Sequence, residues 1–482
     1  MTLLVLIITP LMAAFVLAFV GDRRFAPEIN IFGSLLTFIA VVALALDVYR
    51  DGPIIAGGKF FFVDAFSAYL SVLTAFVSMT TAVFSRRYMQ REREHGRVGH
   101  IHMRFYHAMF QMFIFAMLLC LLTNNIGVLW IAMELATLST VLIVSLYRTP
   151  NAIEAAWKYF ILCGVGIAQA LFGTVLLYFA AEKIIGEGGE ALLWTNLIKV
   201  SDRLEPTILS LAFVFLVVGY GTKVGLVPLH NWLPDAHSEG PTPISAVLSG
   251  LLLNVALYAL VRFKVLVDSS THTHYAGNIM MAFGIISLIV ASFSILRQRD
   301  IKRMFSYSSI EHMGIATFAF GLGGATATYG ALLHMLMHSL TKSSIFFTVG
   351  HACQMHRTQE IARIKGLLNE DSFVGWALML GAMALAGLPP FGIFTSEFLI
   401  LTATIKDVPL LMPFILVGLG VAFAGLLRKV QYMVSGDVPS YSRPIQVART
   451  PVILHMVLVV VLAFYMPDFL NQWFQTAVEL LK

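Results

Sequence analysis

Glu134, Lys223, His334, His338, Lys342 and Glu397 are ionisable residues set inside stretches that are otherwise apolar. Glu134 lies in Leu129-Trp130-Ile131-Ala132-Met133-Glu134-Leu135, and Lys223 stands five residues before Pro228 in a run from Gly219 to His230. His334, His338 and Lys342 recur every four residues, which puts them on one helix face. Glu397 follows the Ala386–Gly392 segment, where Pro389 and Pro390 interrupt a second stretch. In an apolar interior a Lys loses and a Glu gains proton affinity until either exchanges readily, and histidine already titrates near neutrality. The chemistry suited to these types is stepwise transfer of a proton, or passage of a sodium ion. Static roles fit some of the same residues: an ion pair for Lys223 with Glu134, hydrogen bonding for the histidine stripe. Lys158, four residues after Glu154, fits an ordinary helix ion pair. No Cys or carboxylate near His334 and His338 completes a metal site, so no metal is expected. The sequence shows no nucleophile arrangement, nucleotide loop, cluster ligands or haem pair, so neither catalytic residues nor a cofactor is expected.

The elements that carry these residues follow from composition. Of 482 residues 58% are hydrophobic and 12% charged, about half the charged share of a soluble domain. Such a chain reads as one polytopic membrane domain. Runs long enough to cross a bilayer, about twenty residues each, fall near 3–20, 29–49, 60–86, 107–122, 125–147, 154–181, 207–230, 243–266, 275–296, 301–322, 325–351, 373–404, 408–433 and 447–466. A further helix over 467–480 is expected in or near the interface, and a short surface helix around Leu192–Val200. Each charged residue within a span costs at least about 2.5–3.5 kcal/mol at mid-membrane, so it is expected to face protein or water. A proline in mid-span frees backbone groups that lipid cannot satisfy. Pro228 and Pro389–Pro390 break the seventh and twelfth spans. These lie an odd number of spans apart and so have opposite orientation, as in an inverted repeat around a translocation site.

Orientation follows from the basic loops. Arg86, Arg87, Arg91, Arg93, Arg97 and Arg104 cluster after the third span, Arg297, Arg299, Lys302 and Arg303 after the ninth, and Arg357, Arg363 and Lys365 after the eleventh. Each cluster falls inside if the N-terminus is outside. Loop 231–242, on the same side, has no Lys or Arg and breaks the pattern. The first apolar stretch has Arg23 and Arg24 behind it rather than ahead, which suits an uncleaved span. The net charge of +5 is that of membrane-flanking loops and gives no reason to expect nucleic acid. Cys120, Cys163 and Cys353 fit no ligand spacing and read as small core residues.

The run from Lys223 to Gly250, KVGLVPLHNWLPDAHSEGPTPISAVLSG, resembles the signature of the antiporter-like subunits found in respiratory complex I, Mrp-type sodium/proton antiporters and membrane-bound [NiFe] hydrogenases. The resemblance extends from about Asp64 to Glu397 through VDAFSAYL, EAAWKYFIL, MFSYSSIEHMG, LLHMLMHSLTKSSIFFTVG and LAGLPPFGIFTSEFLI. It implies an all-α bundle of about 14 transmembrane helices with inverted five-helix repeats at spans 4–8 and 9–13. The corresponding segments are 1–106, 107–268, 275–434 and 435–482. It also implies a Glu134–Lys223 pair and a polar axis through the histidines to Glu397. Members from complex I often carry Lys in the eighth span, where this chain has Asn254. An asparagine carries no proton, so the link would need water, His334, His338 or Lys342. Tyr307–Gly314 and Asn254 resemble most the subgroup that includes hydrogenase-4 component F. His230 and Lys158 are secondary candidates. Glu311 and His312 either extend the axis or meet a neighbouring subunit. The resemblance implies partner subunits, membrane and peripheral, that hold the redox chemistry, in a bacterial or archaeal cytoplasmic membrane.

Overall fold

A computed structural model describes residues 2–481 and is almost wholly helical. In chain order the helices are α1 (Thr2–Val20), α2 (Ala26–Asp51), α3 (Ala65–Glu94), α4 (His100–Leu122), α5 (Ile126–Val144), α6 (Pro150–Ile185), α7 (Trp194–Leu197), α8 (Pro206–Val224), α9 (Trp232–Glu239) and α10 (Thr242–Val247). There follow α11 (Leu253–Thr271), α12 (Tyr275–Arg297), α13 (Ile301–Leu322), α14 (Gly324–His356), α15 (Leu367–Glu370), α16 (Ser372–Leu385), α17 (Gly392–Asp407), α18 (Met412–Val434), α19 (Arg449–Phe464) and α20 (Asp468–Leu480).

Ten helical stretches among the described residues are long and apolar enough to cross a membrane, eleven if α19 and α20, bent by 80°, count as one. Helices α13 and α14 are long but more polar, because Glu311, His312, His334, His338 and Lys342 sit on them. The twelfth expected span is two helices, α16 and α17, on either side of the proline pair. The third begins later than expected. Residues 54–63 instead make a hairpin of β1 (Ile54–Ala56) and β2 (Phe61–Val63), with Ile54 opposite Val63. Gly57 and Gly58 take positive φ in its turn, a conformation that costs glycine little. Asp64 then starts α3: its side chain accepts from Ser67 N at 3.0 Å, and Ser67 Oγ accepts from Asp64 N at 3.0 Å.

The expected surface helix at 192–200 is a short α7 that runs on directly as a 3-10 helix over Ile198–Arg203. Trp194 N donates to Asn124 O at 2.7 Å and Thr195 N to the Asn124 side chain at 3.1 Å, which ties this backbone to the α4–α5 link. Helix α20 turns across the start of α3, and Trp473 Nε1 donates to Ala65 O at 2.6 Å.

The centre of the bundle is α10–α11, whose most apolar window is buried throughout, whereas α1, α12 and α18 bury well under half of theirs. Neighbours recur in parallel order: α4 packs on α5 as α12 does on α13, α5 on α6 as α13 on α14, α6 on α8 as α14 on α16 and α17, and α8 on α11 as α16 on α18.

Candidate functional site

Two breaks in the helices open the interior to polar groups. At the first, α8 ends on Gly225, whose φ of 82° closes the last turn, and Leu226 N returns to Gly221 O at 2.9 Å. The carbonyl of Thr222 accepts from Gly225 N at 3.1 Å and also from Trp232 Nε1 at 2.8 Å, and Val227 N donates to Ser287 Oγ at 2.9 Å. The Ser287 side chain of α12 thus satisfies backbone that lipid would leave unpaired, and Trp232 of α9 adds a second bond at the break. At the second, Gly387 takes a φ of 64° after α16. Any side chain there would collide with the carboxylate of Glu397. The Val227–Pro228 and Pro389–Pro390 bonds are both cis.

Lys223, fully buried at the end of α8, lies 3.6 Å from Glu134 Oε2 of α5. Its ammonium also donates to Thr137 Oγ1, one turn along α5 from Glu134. The Glu134 side chain is 21% exposed, against 0% for Lys223, so the pair is open on its acidic side. The other charged group is held away from solvent, where pairing offsets part of a large desolvation cost.

The second group lies between α13, α14 and α17. His312 Nδ1 and His334 Nε2 are 3.2 Å apart, and His334 Nδ1 is 2.9 Å from Ser396 Oγ. The His338 ring lies 5.4 Å from that of His312. Donor atoms of His312, His334 and Glu397 all fall within 4.8 Å of one another. Local spacing offered no carboxylate to accompany His334, but the fold supplies one from α17. Glu397 Oε1, His312 Nε2 and both nitrogens of His338 are buried without a partner among the described residues. One turn along α14 from His338, Lys342 donates to Phe305 O at 2.9 Å. Glu311 lies within electrostatic reach of Lys342 and of Glu397. Glu311 and His312 are buried in the bundle, not displayed on its surface.

Asn254 joins α11 to α14, its Nδ2 donating to Ser339 Oγ at 2.7 Å and Met335 O at 3.2 Å. It follows a π-type turn at Leu248–Leu252, where Ser249 Oγ meets Ser309 Oγ of α13 at 2.7 Å. Such turns are frequent at functional sites. Gly250 is needed there because an added Cβ would lie 2.8 Å from Ser343 Oγ.

Two candidates stand apart. Lys158 pairs with Glu154 at 2.7 Å and Asp235 at 3.2 Å, and Asp235 also pairs with Arg303; the Lys158 side chain is half-exposed. His230 is buried beside the first break, its ring 6.1 Å from that of Tyr307. Sequence reading passed over the Asp64–Arg262 pair, 2.6 Å apart and nearly buried. The Arg262 guanidinium lies 4.9 Å from the centroid of Tyr258 and 5.5 Å from that of Trp194. A lone arginine in the apolar run before Phe263 was the available signal.

Residues 123–422 match the family described as NADH:quinone oxidoreductase/Mrp antiporter, TM. A hydrogenase-4 component F homolog of Methylacidiphilum infernorum is 48% identical over 476 residues, 99% of each chain. NADH-quinone oxidoreductase subunit M of Pseudomonas aeruginosa is 32% identical over 277 residues, 57% of this chain and 52% of that one. Among solved structures, a chain of an archaeal membrane-bound sulfane sulfur reductase superposes with a TM-score of 0.89 at 24% identity, covering 98% of this chain and 96% of that one. A chain of the Mrp complex from Dietzia does so at 0.84 and 17% identity, covering 100% and 96%. The chain therefore belongs to the NADH:quinone oxidoreductase/Mrp antiporter transmembrane family, the antiporter-like membrane subunits.

Proposed function

We propose that the chain is the proton- or sodium-translocating membrane subunit of an energy-converting oxidoreductase complex of the hydrogenase-4, formate-hydrogenlyase or complex I type. The observation that carries this reading is the series of ionisable groups inside the bundle, the partly exposed Glu134 with buried Lys223 and then buried Lys342, Glu311, His338, His312, His334 and Glu397, set beside two broken helices. Unit charges 4 Å apart interact by about 1 kcal/mol in water but about 4 kcal/mol at an effective dielectric of 20. Burial therefore lets a change of charge at one site alter the next. Redox energy from partner subunits would shift Glu134–Lys223, and the shift would pass through Asn254, Ser339 and the histidines to Glu397.

In this reading α13, α14 and the α16–α17 pair are membrane-spanning too, which with the other eleven makes fourteen spans. The parallel packing of α4–α11 and α12–α18 is the inverted repeat, over 107–268 and 275–434, flanked by 1–106 and 435–482. The arginine-rich ends face the cytoplasm of a bacterium or archaeon, and the N-terminus faces outside. Partners are the bilayer and the redox and membrane subunits, with no nucleic acid.

Purification of the tagged chain in mild detergent, followed by mass spectrometry of what accompanies it, tests the assembly. Hydrogenase-like or complex I-like subunits are expected. Recovery with small membrane proteins only would favour the second reading, an Mrp-type antiporter or uptake subunit without a redox partner, to which the fold match with the Mrp complex also points.

A further inference from the structure

Where α13, α14 and α17 meet, donor atoms of the buried side chains of His312, His334 and Glu397 lie within 4.8 Å of one another. The hydrogen bonds around His334 fix which of its nitrogens carries the proton. Ser396 Oγ donates to Ile393 O at 2.8 Å, so towards His334 Nδ1, 2.9 Å away, it can only accept. Nδ1 therefore holds the proton, and Nε2 presents a bare lone pair to Nδ1 of His312. Metal-ligating histidines are held in this way, by a hydrogen bond to the far nitrogen.

The spacing fits an ion. Two nitrogens about 2.0–2.1 Å from a tetrahedral zinc stand about 3.3 Å apart, and His312 Nδ1 lies 3.2 Å from His334 Nε2. Glu397 has to close on them by at most about 1.5 Å, and its Oε1 has no partner among the described residues. His338, whose ring lies 5.4 Å from that of His312, stands beside the fourth position with both nitrogens likewise unpartnered. Glu397 and the nearby Glu311 together offer two negative charges when ionised, which balance a divalent cation. Lys342, within reach of Glu311, His312 and His338, opposes one unless it is neutral. Two other histidines, His107 and His237, are also buried without partners among the described residues, but no group of three ligands converges on either. Glu397, at 7% the most exposed of the three, adjoins the α16–α17 break, where Pro389 and Pro390 are exposed.

We propose that His312, His334 and Glu397 form a binding site for a divalent transition metal of the zinc type, and that the bound ion locks the histidine relay. Imidazole with carboxylate is a zinc-type donor set, whereas magnesium and calcium take oxygen ligands. Ligation occupies the lone pair of His334, shifts the His312 proton from Nδ1 to Nε2, and takes Glu397 as the carboxylate. The contact between the two histidines then carries no proton. Binding stands on the distances alone, and the lock rests on the translocation reading above.

The intact complex, stripped with a chelator, is titrated with zinc chloride alone, and bound zinc is measured by mass spectrometry. The parent should retain zinc that His334→Gln and Glu397→Gln bind about a hundred-fold or more weakly, while Ser396→Ala, which removes only the support of His334, should weaken it about ten-fold. His107→Gln should match the parent. X-ray absorption at the zinc edge, which needs no variant to fold, should show imidazole nitrogens around the zinc that the chelator removes and re-addition restores. Zinc uptake indifferent to the cluster substitutions would overturn the site, as would chelatable zinc without imidazole ligands. In vesicles, zinc should stop pumping reversibly, and Ser396→Ala should need about ten-fold more of it. A loaded complex that pumps at the metal-free rate would overturn the lock. Lys223→Ala separates this from the translocation reading: it should bind zinc as the parent does, and if it also pumps normally, that reading fails while the site stands.

Discussion

The two halves of the bundle handle buried charge differently. In the first, one ammonium is fixed between a carboxylate and a hydroxyl, and the Glu134 side chain remains 21% exposed. In the second, two carboxylates, three histidines and a lysine are all within 7% of full burial, and several of their polar atoms have no partner among the described residues. The first arrangement holds charge against a counterion. The second suits groups that change protonation, since a histidine can accept at one nitrogen and release at the other. Asn254 and its bond to Ser339 lie between them. The comparison suggests a division of labour: a switch that stores charge, and a relay that hands it on.

Replacing Lys223 should break this division most completely. Lys223→Ala removes the one ammonium of the pair and the proton site it carries, so it should lose translocation by about a hundred-fold or more, a barrier increase of about 2.7 kcal/mol. Lys223→Arg sharpens the result, because a guanidinium keeps the charge but cannot release a proton. If the pair only stores a fixed charge, the arginine variant pumps; if Lys223 must deprotonate, it does not. Reconstituted vesicles with a pH-sensitive dye distinguish the two. In the other half Glu397→Gln keeps size and hydrogen bonding but removes the proton site, and a comparable loss is expected.

A backbone substitution probes the second half less directly. Gly387→Ala places a methyl group where the Glu397 carboxylate lies, at a residue with positive φ. Strain of this sort costs about 1–3 kcal/mol. Translocation should fall about ten-fold while co-purification of partner subunits persists, and unchanged pumping would show that Glu397 does not need its present position. Asn254→Leu should do less. It removes the bonds to Ser339 Oγ and Met335 O, while Ser339 keeps its own bond to Gly250 O; at about 0.5–1.5 kcal/mol per bond the loss is read as a lower unfolding temperature with a few-fold loss of pumping. Asn254→Lys restores an ionisable group between the halves, and pumping at or above the parent rate would show that the asparagine limits the link.

Much of this was legible locally. Charges within apolar runs marked Glu134, Lys223, Lys342 and Glu397, and prolines marked both breaks. Thr137 was legible in principle, since it shares a helix face with Glu134. The contact of His312 with His334 and the approach of Glu397 to both were not. They depend on which faces α13, α14 and α17 turn toward one another, which no spacing within a single helix specifies. The Asp64–Arg262 pair joins residues almost two hundred positions apart. Its partners could be flagged one at a time but not matched.

Lys158 offers the smallest effect and the cleanest control for the comparison. It has a charged partner, as Lys223 does, and stands on a helix of the first half. Yet it shares its carboxylates with water and with Arg303 at the arginine-rich end. Exposed pairs contribute about 0–1 kcal/mol and weaken with salt. Lys158→Ala should therefore pump within about two-fold of the parent and shift stability by less than about 1 kcal/mol, with the difference shrinking as salt rises. Burial, rather than the presence of an ion pair, is then what separates Lys223 from Lys158. A large loss of pumping in Lys158→Ala at high salt would instead place the surface cluster within the path and erase the distinction between the halves.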